Sequence, residues 1–297
     1  MLFLDGVGIG KRDYEFNPFF KYGFNTFTEL FGEIPHSKNE HLSKDHRFIF
    51  PVDASMGVEG IPQSGTGQTS IFSGVNGPEI LGWHFGPYAH KSLLPAIHNK
   101  NIFKIALESG KSVHFANAYP KPFFKYLKSG AKRLNVTAHC VISSGMKFNK
   151  ADDVRKGRAL TAEISSEKWN SKLGYKLPIL SPEKAARNLL NTAAKFDLTV
   201  FEYFYTDYAG HFRFDGNYGD FTSFLDRFLF AILSELDLNS QTVIICSDHG
   251  NFEDLSMKQH TYNSAIGISA GKHAEYFKDN IKFLYDIKDS VLNVLNF

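Results

Sequence analysis

The sequence predicts an α/β protein built on a mostly parallel central sheet. Two observations carry this. Helical and strand-like segments alternate along the chain, and three short apolar runs each lead into carboxylate or imidazole residues. The first element is Met1 to Leu4, an apolar run that stops at Asp5-Gly6 and reads as a buried strand. Asn101 to Gly110 reads as a helix closed by a glycine cap, and the strand Ser112 to Ala116 follows it. Ser181-Pro182-Glu183 is a helix start: a capping hydroxyl, proline at the first helical position, then an acid. That helix runs to about Lys195 and feeds the strand Leu198 to Phe204. A further helix from about Asp220 to Leu236 leads into Thr242 to Cys246, a continuous apolar run of the kind buried on both faces of a parallel sheet.

The chain has 297 residues, 43% hydrophobic and 22% charged, which supports a sizeable core and excludes disorder as its main state. Its 33 basic and 31 acidic side chains leave a net charge of +2, so nothing global points to nucleic acid or a membrane surface as partner. The 29 Phe and 13 Tyr suit an aromatic-rich core. Cys140 and Cys246 are the only cysteines, too few for a disulfide framework or a thiolate zinc knot. The N-terminus meets Asp5 at once and has no signal-peptide character, and no apolar run reaches the roughly 18 residues of a membrane span. The expectation is a cytoplasmic, soluble protein.

Ligands of parallel α/β sheets gather at the carboxyl ends of strands. Here those ends carry Asp5, then Asp207 and His211, then Asp248 and His249. Each has an ordinary reading as a turn, a surface pair or a cap. Three such events at three strand ends point instead to one centre of carboxylates and imidazoles, suited to zinc or manganese. A fourth element, Pro62 to Gly74, sets small hydroxyl and glycine residues before an apolar segment, as expected of a hydroxyl at a helix N-terminus that faces an anion. It lacks the lysine of a Walker loop, and Gly6-Val7-Gly8-Ile9-Gly10-Lys11 lacks the last glycine of a dinucleotide fingerprint.

These segments resemble the alkaline phosphatase superfamily, nearest to its branch of cofactor-independent phosphoglycerate mutases and phosphopentomutases. The matching residues are Asp5-Gly6-Val7-Gly8, Ser64 with Gly67, Asp207 with His211, Asp248-His249-Gly250-Asn251 with Glu253, and His260-Thr261 with Asn263. The resemblance implies a three-layer core and two divalent cations, Mn²⁺ or Zn²⁺. One would be held by Asp207, His211 and His260, the other by Asp5, Asp248 and His249. Ser64 would be nucleophile and shared ligand. Gln68 stands where the family has histidine after the glycine, and Thr66 remains the second choice of nucleophile. The implied chemistry is two-metal phosphoryl transfer on a small phosphate ester.

Residues 119–180 are lysine-rich with few periodic segments, and prolines mark both borders. They are expected to form a small inserted lid or substrate segment, leaving 1–118 and 181–297 as a discontinuous catalytic core. Arg155, Lys156 and Arg158 are candidate anion clamps there, as are Lys121, Lys125, Lys132 and Arg133, although a solvated face is the simpler account of them. Trp83-His84-Phe85 and Tyr88-Ala89-His90 follow the serine segment and offer pocket-lining rings or plain packing. His114 reads as a satisfied core histidine. About sixty inserted residues is small for a mutase lid, which favours phosphomonoester hydrolysis over mutase or phosphodiesterase chemistry. A metal-binding protein without turnover is the alternative of another class. The serine segment lacks the pattern needed for formylglycine formation, which argues against sulfatase chemistry.

Overall fold

A computed structural model describes residues 1–130 and 133–296, so Lys132 lies outside the described residues. Seven strands form one mixed sheet: β1 (Leu2–Leu4), β2 (Leu42–Lys44), β3 (Arg47–Val52), β4 (Val113–Phe115), β5 (Leu198–Tyr203), β6 (Thr242–Cys246) and β7 (Ala265–Gly271). Their order is β2-β3-β7-β6-β1-β5-β4. The half β6-β1-β5-β4 is parallel throughout, as expected, with Leu2 opposite Phe201 on one side and Ile245 on the other. Beyond β6 the sheet continues antiparallel through β7, β3 and β2, three strands the sequence reading did not include.

Period-two alternation divides the apolar side chains between two layers. Leu2, Leu4, Phe201 and Ile245 pack on one face, with the helices Pro182–Ala193 and Tyr218–Glu235. Phe3, Val200, Ile244 and Cys246 pack on the other, with the helices Ser64–Ser73, Ile102–Glu108 and Val136–Ser143. The result is the three-layer α/β core. Ser181 caps its helix as read, its hydroxyl accepting from Lys184 N at 3.3 Å.

The 119–180 stretch is not uniform. The Val136–Ser143 helix buries Val136, Cys140 and Val141 in the second layer, whereas Val154, Ala159, Trp169 and Leu177 form a small cluster of their own with Ala118. Arg155 and Arg158 pair with their near neighbours Asp152 and Asp153 at 2.5 and 2.6 Å. His114 is partly buried, stacked on Phe196 and bonded to the Arg158 carbonyl at 2.8 Å. No helix among the described residues is long and apolar enough to cross a membrane.

Candidate metal centre

Because β5, β1 and β6 are parallel neighbours, their carboxyl ends deliver Asp5, the Tyr205–Gly210 helix and Asp248-His249 to one edge. The close approach needs Gly6. It has φ +69°, and a Cβ there would lie 2.9 Å from Asp207 Cβ.

Asp5, Asp248 and His249 form one buried set of ligand atoms, and Asp207, His211 and His260 form another. In the first, His249 Nε2 lies 3.4 Å from Asp5 Oδ1 and 3.5 Å from Asp248 Oδ2. Burial, then the nearby carboxylates, pushes Asp5 well above the usual range, and burial with Asp207 pushes Asp248 up to about 7. Burial holds His249 down to about 3, so its ring is neutral. In the second set, burial opposes ionisation of Asp207, but the His260 hydrogen bond and the imidazoles outweigh it and hold that carboxyl far below normal. Burial likewise opposes a charge on His260, yet Asp207 draws its pKa upward.

His211 Nδ1 faces the Lys258 carbonyl at 2.6 Å, and His260 Nδ1 faces the Pro62 carbonyl at 2.8 Å. With both Nδ1 atoms turned to backbone carbonyls, the two Nε2 atoms lie 3.0 Å apart and 3.4 and 3.3 Å from Asp207 Oδ1, where a cation would take the place of the proton that His260 shares with Asp207. Asp5 Oδ1 is buried without a hydrogen bond. Such clusters repel internally unless a cation sits among them, so the donor set fits two divalent ions of the carboxylate–imidazole type.

Ser64 opens its helix beside the first set. Its Oγ is 3.0 Å from His249 Nε2, and the His249 ring stacks on His260 at 3.7 Å. The seven residues expected to ligate are therefore brought together. Thr66 is placed differently. Its hydroxyl donates to the Gln63 carbonyl at 3.0 Å and accepts from Phe85 N at 3.2 Å, so it is engaged with backbone. Gln68 Nε2 donates to Asp5 at 3.1 Å and Asp248 at 3.3 Å, bridging two carboxylates.

Three supporting residues had no assigned role in the sequence. Glu253 accepts four bonds, from Gly8 N, Asn251 N, Thr261 Oγ1 and Asn263 Nδ2, all within 2.6–2.9 Å. It ties the loop after β1 to the β6–β7 connection that carries Asp248, His249 and His260, and its place in the motif was the available signal. Asn251 Nδ2 donates to Asp207 Oδ1 at 2.8 Å. Glu202, buried on β5 and pushed by burial up to about 7, accepts from Thr137 Oγ1 at 2.7 Å. An acid inside an apolar strand was its only signal.

The profile of the Metalloenzyme superfamily matches residues 1–297. The chain belongs to that superfamily. Among solved structures, this member of the superfamily is similar to a protein from Pyrococcus horikoshii, with TM-score 0.55 at 11% identity, over 99% of this chain and 97% of that one. It is also similar to the alkaline phosphatase of the Antarctic bacterium TAB5, with TM-score 0.53 at 13% identity, over 99% and 97% of the two chains. A variant of that phosphatase with Mg bound gives TM-score 0.53 at 14% identity, covering 100% and 97%. These likenesses establish an alkaline phosphatase-like fold. No curated protein sequence matches.

Proposed function

We propose that this superfamily member is a two-metal phosphoryl-transfer enzyme that hydrolyses small phosphomonoesters through a phosphoserine on Ser64. One observation carries the reading: a serine hydroxyl at a helix N-terminus lies 3.0 Å from His249, a member of one three-residue carboxylate–imidazole set whose ring stacks on His260 of the other. Superfamily membership and the alkaline phosphatase-like fold support it. Asp207, His211 and His260 hold one Mn²⁺ or Zn²⁺, and Asp5, Asp248 and His249 the other. Bound, the two cations lower the serine pKa and neutralise charge on the attacking and leaving oxygens.

Ser64, deprotonated to solvent, attacks phosphorus in line. The P–O bond to the alcohol breaks, and the alcohol leaves with a proton from water. Water then attacks the phosphoserine, releasing inorganic phosphate and restoring Ser64. The N–H groups at the start of the helix favour the phosphate, and Gln68 steadies Asp5 and Asp248. The 119–180 stretch shapes access in this reading, since Lys168 lies 4.4 Å over the ring of Tyr205, two residues before Asp207. A cytoplasmic setting belongs to the same proposal and rests on two free, buried thiols.

The test is a panel of phosphomonoesters, diesters and mutase substrates, with Mn²⁺ and Zn²⁺ supplied separately. Wild type should release phosphate from monoesters, and Ser64→Ala should abolish it while Thr66→Ala retains it. Two bound metals with no turnover on any ester would favour the metal-binding alternative.

A further inference from the structure

Gln68 stands one turn after Ser64 on the Ser64–Ser73 helix, so the two side chains share a face of it. Both reach the first ligand set. Ser64 Oγ is 3.0 Å from His249 Nε2, and Gln68 Nε2 is 3.1 Å from Asp5 Oδ2 and 3.3 Å from Asp248 Oδ2. The helix lies this close because position 67 is glycine, where a Cβ would sit 3.0 Å from Asp248 Cβ. One end of a single amide thus meets two of the three ligands of one set.

Among the described residues, the other end has no hydrogen-bond partner. Gln68 is 3% exposed, and its Oε1 is buried and unsatisfied. So is Oδ1 of the Asp5 carboxylate that the amide touches. Buried polar atoms without partners are costly, and each calls for a physical account. The nitrogen and oxygen of an amide are nearly isosteric, and half a turn about the last side-chain torsion exchanges them. Two facing carboxylates alone call for the N–H end. A cation among them calls for the oxygen, because an N–H would turn its positive end on the ion. The spacings agree with this: metal–ligand bonds of roughly 2.0–2.2 Å, at right angles or a little wider, set neighbouring ligand atoms about 3 Å apart. Asn251 differs. It meets Asp207 alone among the ligands, and its own unsatisfied Oδ1 is closed in by Gly210, where a Cβ would lie 2.5 Å from it.

We infer that Gln68 is a further ligand of the first set, its amide oxygen turned onto the cation held by Asp5, Asp248 and His249, and that it biases this set toward Mn²⁺ over Zn²⁺. The inference rests on the proposed reading of that set as one metal site. Asp5, Asp248, His249 and Ser64 already supply the four ligands with which Zn²⁺ is commonly satisfied. A fifth protein ligand, again an oxygen, suits a harder cation of higher coordination number such as Mn²⁺.

The experiment uses the full chain with Mn²⁺ or Zn²⁺ alone as the probe. In crystals loaded with Mn²⁺, anomalous scattering locates the ions. An amide atom of Gln68 should lie about 2.0–2.2 Å from the ion of the first set. A separation of about 3 Å or more would overturn the ligand and leave Gln68 a donor that only orients Asp5 and Asp248. Calorimetric titration gives a second readout. Gln68→Leu should lower Mn²⁺ affinity at the first set by about tenfold or more, and Zn²⁺ affinity by less. Gln68→Glu keeps an oxygen but, ionised, donates nothing, and should retain Mn²⁺ binding. Equal losses of the two metals in Gln68→Leu would overturn the bias toward Mn²⁺. If circular dichroism shows that Gln68→Leu does not fold, Gln68→Glu decides: retained Mn²⁺ binding supports the ligand, and lost binding overturns it. Two ions in wild type with a distant amide leave the phosphoryl-transfer centre standing. A wild type that binds neither metal overturns the centre and the ligand with it.

Discussion

Asp248 shows how single residues set the behaviour of the centre. Burial and the neighbouring Asp207 keep its proton until about pH 7, whereas His249 is already neutral above about pH 3. A cation must displace any proton on the carboxylates it binds. Metal affinity should therefore rise as pH increases toward about 7 and level off above it. Calorimetry at pH 6 in buffers of different ionisation enthalpy should show proton release on metal binding, and much less at pH 8. Equal release at both would contradict the burial argument. A second expectation concerns stoichiometry. Elemental analysis should find about two metal ions per chain in wild type and one in Asp207→Ala or Asp248→Ala, since each removes one ligand of a three-residue set. Full occupancy in both variants would defeat the assignment. At this scale the ligand types were legible because each follows a strand-like run. Ser64 stood ahead of Thr66 by its place in the motif, while the contacts that distinguish the two hydroxyls, one on His249 and one on backbone, are not written in a single local segment.

Short elements hold these residues in place. The Ser64–Ser73 helix starts beneath the Phe85 to Tyr88 backbone, where Gly65 leaves no room for a side chain. Gly65→Ala should cost about 1–3 kcal/mol in urea denaturation, the usual range for overpacking, and should lower turnover by moving Ser64. An unchanged denaturation midpoint would show that the loop yields freely. Glu253 acts across three segments. Glu253→Ala leaves two buried backbone N–H groups and two side chains without their acceptor, and should destabilise by about 3 kcal/mol or more. Of the elements, β1 could be read from an apolar run that stops at Asp5-Gly6, and β4, β5 and β6 because each follows a segment with a helical reading. The strands β2, β3 and β7 could not. β3 contains Pro51 and β7 is interrupted by Gly267, and both gain their definition from pairing with each other over six residues.

In the whole molecule, the two ligand sets gather residues from both ends of the chain, so metal occupancy and folding are linked. Chelation should lower the melting temperature by about 5 °C or more, each ion at a hundredfold excess over its Kd contributing about 2.7 kcal/mol. A scan that does not move on chelation would mean that the sets hold no ion in the folded protein. The sequence alone determined the α/β class, the parallel half of the sheet and the residue types of the centre, because these follow from local period and from what stands at strand ends. The tertiary structure alone decided how they converge. Strand order places Asp5 beside ligands more than 200 positions away, turns the Nδ1 atoms of His211 and His260 toward backbone carbonyls, and sets a buried glutamate, Glu202, beneath the site. Those are properties of non-local packing and hydrogen bonding, which no local pattern encodes.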